Sequence, residues 1–214
     1  MTNDYVVAPG GRLSGDLRVP GDKSISHRAI MLGSLAEGVT EVEGFLEGED
    51  AIATMNVFRA LGVQIDGPKQ GRVRIEGVGL HGLKRPRGVL DCGNSGTSMR
   101  LLCGLLAAQS FSSELTGDAS LTKRPMRRVA QPLGEMGADI RTADNGCPPL
   151  AIHPVHELRG ITYELPIASA QVKSALLLAG LYAKGITCIT EPAPTRDHTE
   201  RMLQAFAYPV QREA

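Results

Sequence analysis

The sequence predicts an α/β (α+β) fold made of three copies of one β-α-β-α-β-β unit, set around a pseudo-threefold axis with core helices buried at the centre. Three observations predict it. A turn of small residues running into a basic residue and then a Leu/Ala-rich stretch occurs three times: Pro20-Gly21-Asp22-Lys23-Ser24-Ile25-Ser26-His27-Arg28, Gly93-Asn94-Ser95-Gly96-Thr97-Ser98-Met99-Arg100, and Ala168-Ser169-Ala170-Gln171-Val172-Lys173. The basic residues heading the apolar runs, Arg28, Arg100 and Lys173, are 72 and 73 residues apart. The runs themselves are apolar on nearly every side, the pattern of a helix buried all round. Solenoid units repeat at roughly 20–50 residues, so a longer period points to compact α/β units sharing one core.

In order along the chain, residues 5–19 read as two short strands about Pro9-Gly10-Gly11, outside the repeats and placed to complete a sheet elsewhere. The three units are expected at 20–90, 91–160 and 161–214. After each core helix comes a short strand, at 40–44, 113–117 and 186–190. A second, amphipathic helix follows and ends at 60–63, 135–138 and 204–208. Units one and two close with an alternating hairpin, at 63–78 around Gly67-Pro68 and at 138–152 around Asn145-Gly146. The third unit lacks both the hairpin and the glycine that ends its sister helices.

A chain of 214 residues buries roughly 70% of its unfolded surface, enough for one sizeable core. Its 23 basic and 23 acidic residues cancel, which leaves no global field to draw nucleic acid, and aromatic residues are too scarce for a base-stacking surface. Cys92, Cys103, Cys147 and Cys188 form no paired motif and read as reduced thiols, Cys103 and Cys188 in the core. No apolar run approaches ~18 residues, so no membrane span is expected. The start of the chain has no leader character, and the cytoplasm is the expected compartment.

The chemistry concentrates at the helix starts. Free backbone N–H groups and a partial positive charge there, joined by Lys23, Ser24, Ser26 and Arg28, make an anion site. The plain alternative is capping by Ser24 or Ser26 beside solvated charges. If the three core helices run parallel, their starts gather Lys23, Arg28, Arg100 and Lys173 at one end. The second helices add to this. The first begins after the acidic Glu47-Gly48-Glu49-Asp50, as dipole complementation requires, but the second begins after Lys123-Arg124-Pro125-Met126-Arg127-Arg128 and the third carries Arg196. Cations at a helix start are unfavourable without a bound anion, so Arg124 and Arg196 read as facing a ligand. His153 and His156 lack a third ligand and suggest no metal. His27 faces away from Ser24 and Arg28 and reads as a packing or hydrogen-bonding residue.

Four stretches, Pro20-Gly-Asp-Lys-Ser-Ile-Ser-His-Arg28, Gly93-Asn-Ser-Gly-Thr-Ser-Met-Arg100, Leu121-Thr-Lys-Arg-Pro-Met126 and Ser169-Ala-Gln-Val-Lys-Ser174, closely resemble the 5-enolpyruvylshikimate-3-phosphate synthase family in order and spacing. The resemblance implies one of the two three-unit domains of the enolpyruvyl transferase fold. It also implies transfer of the enolpyruvyl group of phosphoenolpyruvate to the 5-hydroxyl of shikimate 3-phosphate, in aromatic amino acid biosynthesis, with no cofactor and no metal. By motif, Lys23 touches both substrates. Ser24, Arg28, Ser169, Ala170, Gln171 and Arg196 serve shikimate 3-phosphate; Asn94, Ser95, Gly96 and Arg124 serve phosphoenolpyruvate, with Gln171 nearby. Lys23, Arg124 and Gln171 are the catalytic candidates on this side, and Gly96 implies sensitivity to glyphosate. The family's second domain supplies the acid and base groups, whose motifs are absent here, so the chain is expected to bind shikimate 3-phosphate without turnover and to need that domain as partner. Two alternatives stand beside this: a stand-alone or split-enzyme anion-binding half, and similarity to UDP-N-acetylglucosamine enolpyruvyl transferase, which the 23–28 motif fits less well.

Overall fold

The computed structural model describes residues 5–213. Unit one contains α1 (Lys23–Leu35), β1 (Glu37–Val42), α2 (Glu49–Ala60), β2 (Gln64–Lys69) and β3 (Arg72–Val78). Unit two runs β4 (Leu90–Asp91), α3 (Gly96–Leu106), β5 (Ser113–Thr116), a single 3-10 turn at Leu121–Lys123, α4 (Arg127–Glu135), β6 (Asp139–Arg141) and β7 (Leu150–His153). Unit three contains β8 (Thr162–Glu164), α5 (Ala170–Gly180), β9 (Cys188–Thr190) and α6 (His198–Ala205).

The sheets carry the repeat. Unit two has the full order β4-β5-β7-β6, with β4 parallel to β5 and the other pairs antiparallel. Unit one has the same order without its first strand, β1-β3-β2, and unit three has only the opening parallel pair, β8-β9. The second helices leave their units in one way. The amide of Val63 bonds the carbonyl of Phe58, that of Ala138 bonds Leu133, and that of Tyr208 bonds Leu203. Such a helix end needs a left-handed residue, supplied by Gly62 (φ 89°) and Gly137 (φ 98°) but by Ala207 (φ 60°) in unit three.

The three core helices are buried along most of their length. Side chains such as Ile30, Met31, Leu101, Leu102, Leu105 and Leu176 stand in one continuous apolar cluster with the inner faces of the sheets. α3 and α5 meet at backbone distance: a Cβ on Gly104 would lie 2.0 Å from the carbonyl oxygen of Ala175. Caps come from the residue before each helix. Asp22 Oδ1 accepts from the Ile25 amide, Ser95 Oγ from Ser98 and Ser169 Oγ from Val172. The cap of α1 is thus Asp22, not Ser24 or Ser26, which frees both serines for other contacts.

Three expectations are corrected. Residues 5–19 form no strand within this chain, and Tyr5, Val6, Val7, Leu13, Leu17 and Val19 are exposed, because no sheet edge among the described residues pairs with them; a sheet of the missing second domain stays their expected place. The first hairpin turns at Gln70-Gly71, both at positive φ, while Gly67-Pro68 sits within β2 where the register shifts. Cys188 is exposed rather than in the core, since it lies in the sparsely covered β9; Cys92, Cys103 and Cys147 are buried, and all four are free thiols. No helix of the described residues is long and apolar enough to cross a membrane.

Ala207 is exposed, so Ala207→Gly removes a left-handed strain of roughly 1–2 kcal/mol against a glycine entropy cost of about 0.5–1 kcal/mol. A higher urea midpoint for the variant is the expected outcome.

Candidate anion-binding site

The starts of α1, α3 and α5 meet at one end of the core, and the polar groups there form two linked clusters. The first belongs to α1, α5 and α6. Arg28 is 4% exposed, yet no carboxylate among the described residues lies within ion-pair reach. Its Nε donates to Thr199 Oγ1 (2.6 Å), Nη2 to Ser174 Oγ (2.7 Å) and Nη1 to the carbonyl of Ser24 (3.0 Å). Thr199 in turn donates to Ser174, which donates to the carbonyl of Ala170. Burial pushes the Arg28 guanidinium down to about 10, with Glu200 opposing the effect and Arg196 adding to it. Arg196 Nη1 donates to Ser24 Oγ at 3.1 Å.

The second cluster lies at the start of α3. Arg124 Nη2 donates to Asn94 Oδ1 (2.6 Å) and Ser120 Oγ (3.2 Å). Arg100 Nη1 donates to Gln171 Oε1 (2.8 Å) and to the carbonyl of Gly96 (3.3 Å), while Gln171 Nε2 donates to Thr97 Oγ1. Gly96 lets the two arginines approach: a Cβ there would stand 2.8 Å from Arg100 Nη1 and 3.2 Å from Arg124 Nη1. Burial holds the Arg100 guanidinium below its ordinary value, and the like charges of Arg128 and Arg124 deepen the effect. Arg100 Nε is buried without a partner. Among the described residues none of Arg28, Arg100, Arg124, Arg128 and Arg196 has a carboxylate within ion-pair distance.

Two carboxylates near this end, Asp50 and Asp118, are occupied. Asp50, in the first turn of α2, accepts from Lys23 Nζ at 3.0 Å. Asp118 accepts from Asn94 Nδ2 and from the amides of Leu121 and Ser120, bonds that hold its carboxyl below the ordinary range. Lys173 departs from the sequence reading. It is buried between Glu191 and Glu200, 2.7 Å from each, so its charge is neutralised inside the protein and it offers nothing to a ligand. Burial pushes the Glu191 carboxyl up, but hydrogen bonds from Lys173 and Thr195 outweigh it and leave the group below its ordinary value.

Of the residues named from sequence, Ser24, Arg28 and Arg196 come together in the first cluster, and Asn94, Gly96, Arg124 and Gln171 in the second. Ser95 and Ser169 cap α3 and α5, and Ala170 begins α5 with its carbonyl on Ser174. Lys23 is turned to Asp50 and bonds none of the others. Arg124 lies beyond the 3-10 turn and Arg196 one residue before the N-cap Asp197, so neither is inside its helix. Arg100, Asp50, Ser174 and Thr199 had not been assigned to either substrate. Arg100 was read as one of the gathered cations, Asp50 as dipole complementation at the start of α2 and Ser174 as part of a family motif; only Thr199 had no sequence signal. No group of three metal-ligating side chains occurs among the described residues.

Comparison with known proteins decides the family. The family model for EPSP synthase (3-phosphoshikimate 1-carboxyvinyltransferase) matches residues 7–214. The chain belongs to the EPSP synthase family. It is 70% identical over 210 residues to the 3-phosphoshikimate 1-carboxyvinyltransferase of Alkalilimnicola ehrlichii, covering 98% of this chain and 47% of that protein. It is 68% identical to that of Methylococcus capsulatus, covering 98% and 48%. A solved EPSP synthase from Acinetobacter baumannii superposes with a TM-score of 0.91 at 63% identity, over 93% of this chain and 45% of that one. The chain spans about half the length of the curated relatives it matches. The reading toward UDP-N-acetylglucosamine enolpyruvyl transferase is set aside by this membership.

Lys173→Met leaves two largely buried carboxylates without their cation and is expected to lower unfolding stability near pH 7 by about 3 kcal/mol. In the native chain the depressed Glu191 contributes fully above the ordinary glutamate range, and that contribution is lost as pH falls through its folded value. Denaturation curves taken from pH 7 to well below pH 4 should therefore show the two proteins converging.

Proposed function

We propose that the end of the core where α1, α3 and α5 start binds shikimate 3-phosphate with phosphoenolpyruvate beside it, as one half of the site that moves the enolpyruvyl group to the 5-hydroxyl and releases phosphate. The observation that carries this reading is the pair of buried arginines, Arg28 and Arg100, that lack carboxylate partners while the neighbouring Lys173 has two. A buried cation held by neutral oxygens alone is electrostatically incomplete, and a phosphate or carboxylate completes it.

Ser24, Arg28, Arg196 and the start of α5 at Ser169, Ala170 and Gln171 take shikimate 3-phosphate. Asn94, Ser95, Gly96 and Arg124 take phosphoenolpyruvate, with Gln171 between the two ligands. Lys23 leaves Asp50 to reach both. The motifs that carry the family's acid and base groups are absent from these 214 residues. This chain alone therefore binds and does not turn over; the family's other half, as a domain or a partner chain, supplies the acid–base groups.

Calorimetric titration of the chain with shikimate 3-phosphate should give weak, salt-sensitive binding. Arg28→Ala and Arg196→Ala should each weaken it by roughly 10–100-fold, the worth of a charge-assisted hydrogen bond of about 1.5–3 kcal/mol. A folded chain that shows no heat, or variants that bind as the parent does, would overturn the assignment.

A further inference from the structure

His27 is fully buried on α1, next to Arg28, and its ring joins three helices. Nδ1 lies 2.7 Å from Thr54 Oγ1 on α2 and 3.2 Å from Ser98 Oγ on α3, and Nε2 lies 3.4 Å from Ser95 Oγ. Thr54 and Ser98 also bond each other, and Thr54 Oγ1 donates to the carbonyl of Asp50, the partner of Lys23. Ser95 Oγ accepts from the Ser98 amide and sits between Asn94 and Gly96, in the turn that faces Arg124 and Arg100.

One proton arrangement uses every group. Thr54 spends its hydroxyl proton on the Asp50 carbonyl, so it accepts from Nδ1–H; Ser95 accepts from the Ser98 amide, so its own proton goes to Nε2. The charged groups facing the ring are Asp50 on α2 and Lys23, Arg28 and Asp22 around the start of α1. Burial outweighs them and pushes the imidazole down to about 4, with Asp50 and Asp22 opposing and the two cations reinforcing. The ring is neutral at ordinary pH.

We propose that His27, as the neutral Nδ1–H tautomer, is a positioning residue that fixes the Asn94-Ser95-Gly96 turn against the Lys23 end of α1 and so sets the separation of the two arginine clusters. The ligand consequence rests on the function proposed above; the positioning itself does not. Loss of the ring's hydrogen bonds releases the Ser95 hydroxyl and Thr54 from a common partner, and the turn and the start of α2 then move independently.

Long-range proton–nitrogen correlation spectra of the unsubstituted chain at pH 7 should show His27 with a protonated Nδ1 and an unprotonated Nε2. His27→Leu fills the space without hydrogen bonding, and His27→Gln places an amide near the Nε2 position. The leucine variant should shift the backbone amide resonances of Asn94, Ser95 and Gly96 and weaken shikimate 3-phosphate binding about five- to tenfold, the worth of one ordinary hydrogen bond. The glutamine variant should restore the resonances and much of the binding. An Nε2–H tautomer, or a leucine variant whose 94–96 amides stay in place, overturns the proposal. Should the parent chain bind no shikimate 3-phosphate, the proposed function fails while tautomer and amide shifts still decide the role of His27.

Discussion

The interaction on which this structure depends is the seating of Arg28, a charged side chain almost wholly out of water and held by neutral oxygens. Moving a guanidinium from water into the interior is costly unless each of its donors finds an acceptor. Here the acceptors come from α5 (Ser174), α6 (Thr199) and α1 itself (Ser24), so the charge can be buried only when units one and three are docked. The same docking brings Arg196 onto Ser24. Charge burial and domain assembly are thus one event.

Lys173 shows the other way to bury a cation. It heads the third core helix as Arg28 heads the first, but two carboxylates close on it. One helix start of the three is thereby given to structure, tying α5 to the chain that leads into α6, and two are left electropositive. The planar guanidinium suits the open positions, because it presents several donors at once and keeps some for a ligand after its fixed partners are served. Close contact of α3 and α5 at Gly104 holds Arg100 and Gln171 in register.

Much of this was legible in the sequence. The repeat of basic residue and apolar run located the core helices, and the common sheet order follows from the same repetition. Arginines at the second-helix approaches marked Arg124 and Arg196. What was illegible depends on partners far along the chain. Lys173 looked like Arg28 because its carboxylates lie 18 and 27 residues away, and nothing in a heptad-scale pattern shows which cation they meet. Ser174 and Thr199 are ordinary hydroxyls until Arg28 arrives. The strands read at 5–19 rested on the turn signal of Pro9-Gly10-Gly11, and a turn signal names a hairpin without supplying a sheet edge. Gly67-Pro68 carried the stronger turn signal, yet Gln70-Gly71 makes the turn, because register with β3 overrides local preference.

The third sheet bears on how such a chain behaves in a crowded tube. In unit two the strand equivalent to β9 is paired on both sides; β9 itself has β8 on one side and no strand on the other among the described residues. A row of backbone donors and acceptors left open along a strand is a template for intermolecular sheet growth. At three residues β9 is itself a short edge, which limits that templating, and any further blunting belongs at Cys188–Thr190 rather than in the core.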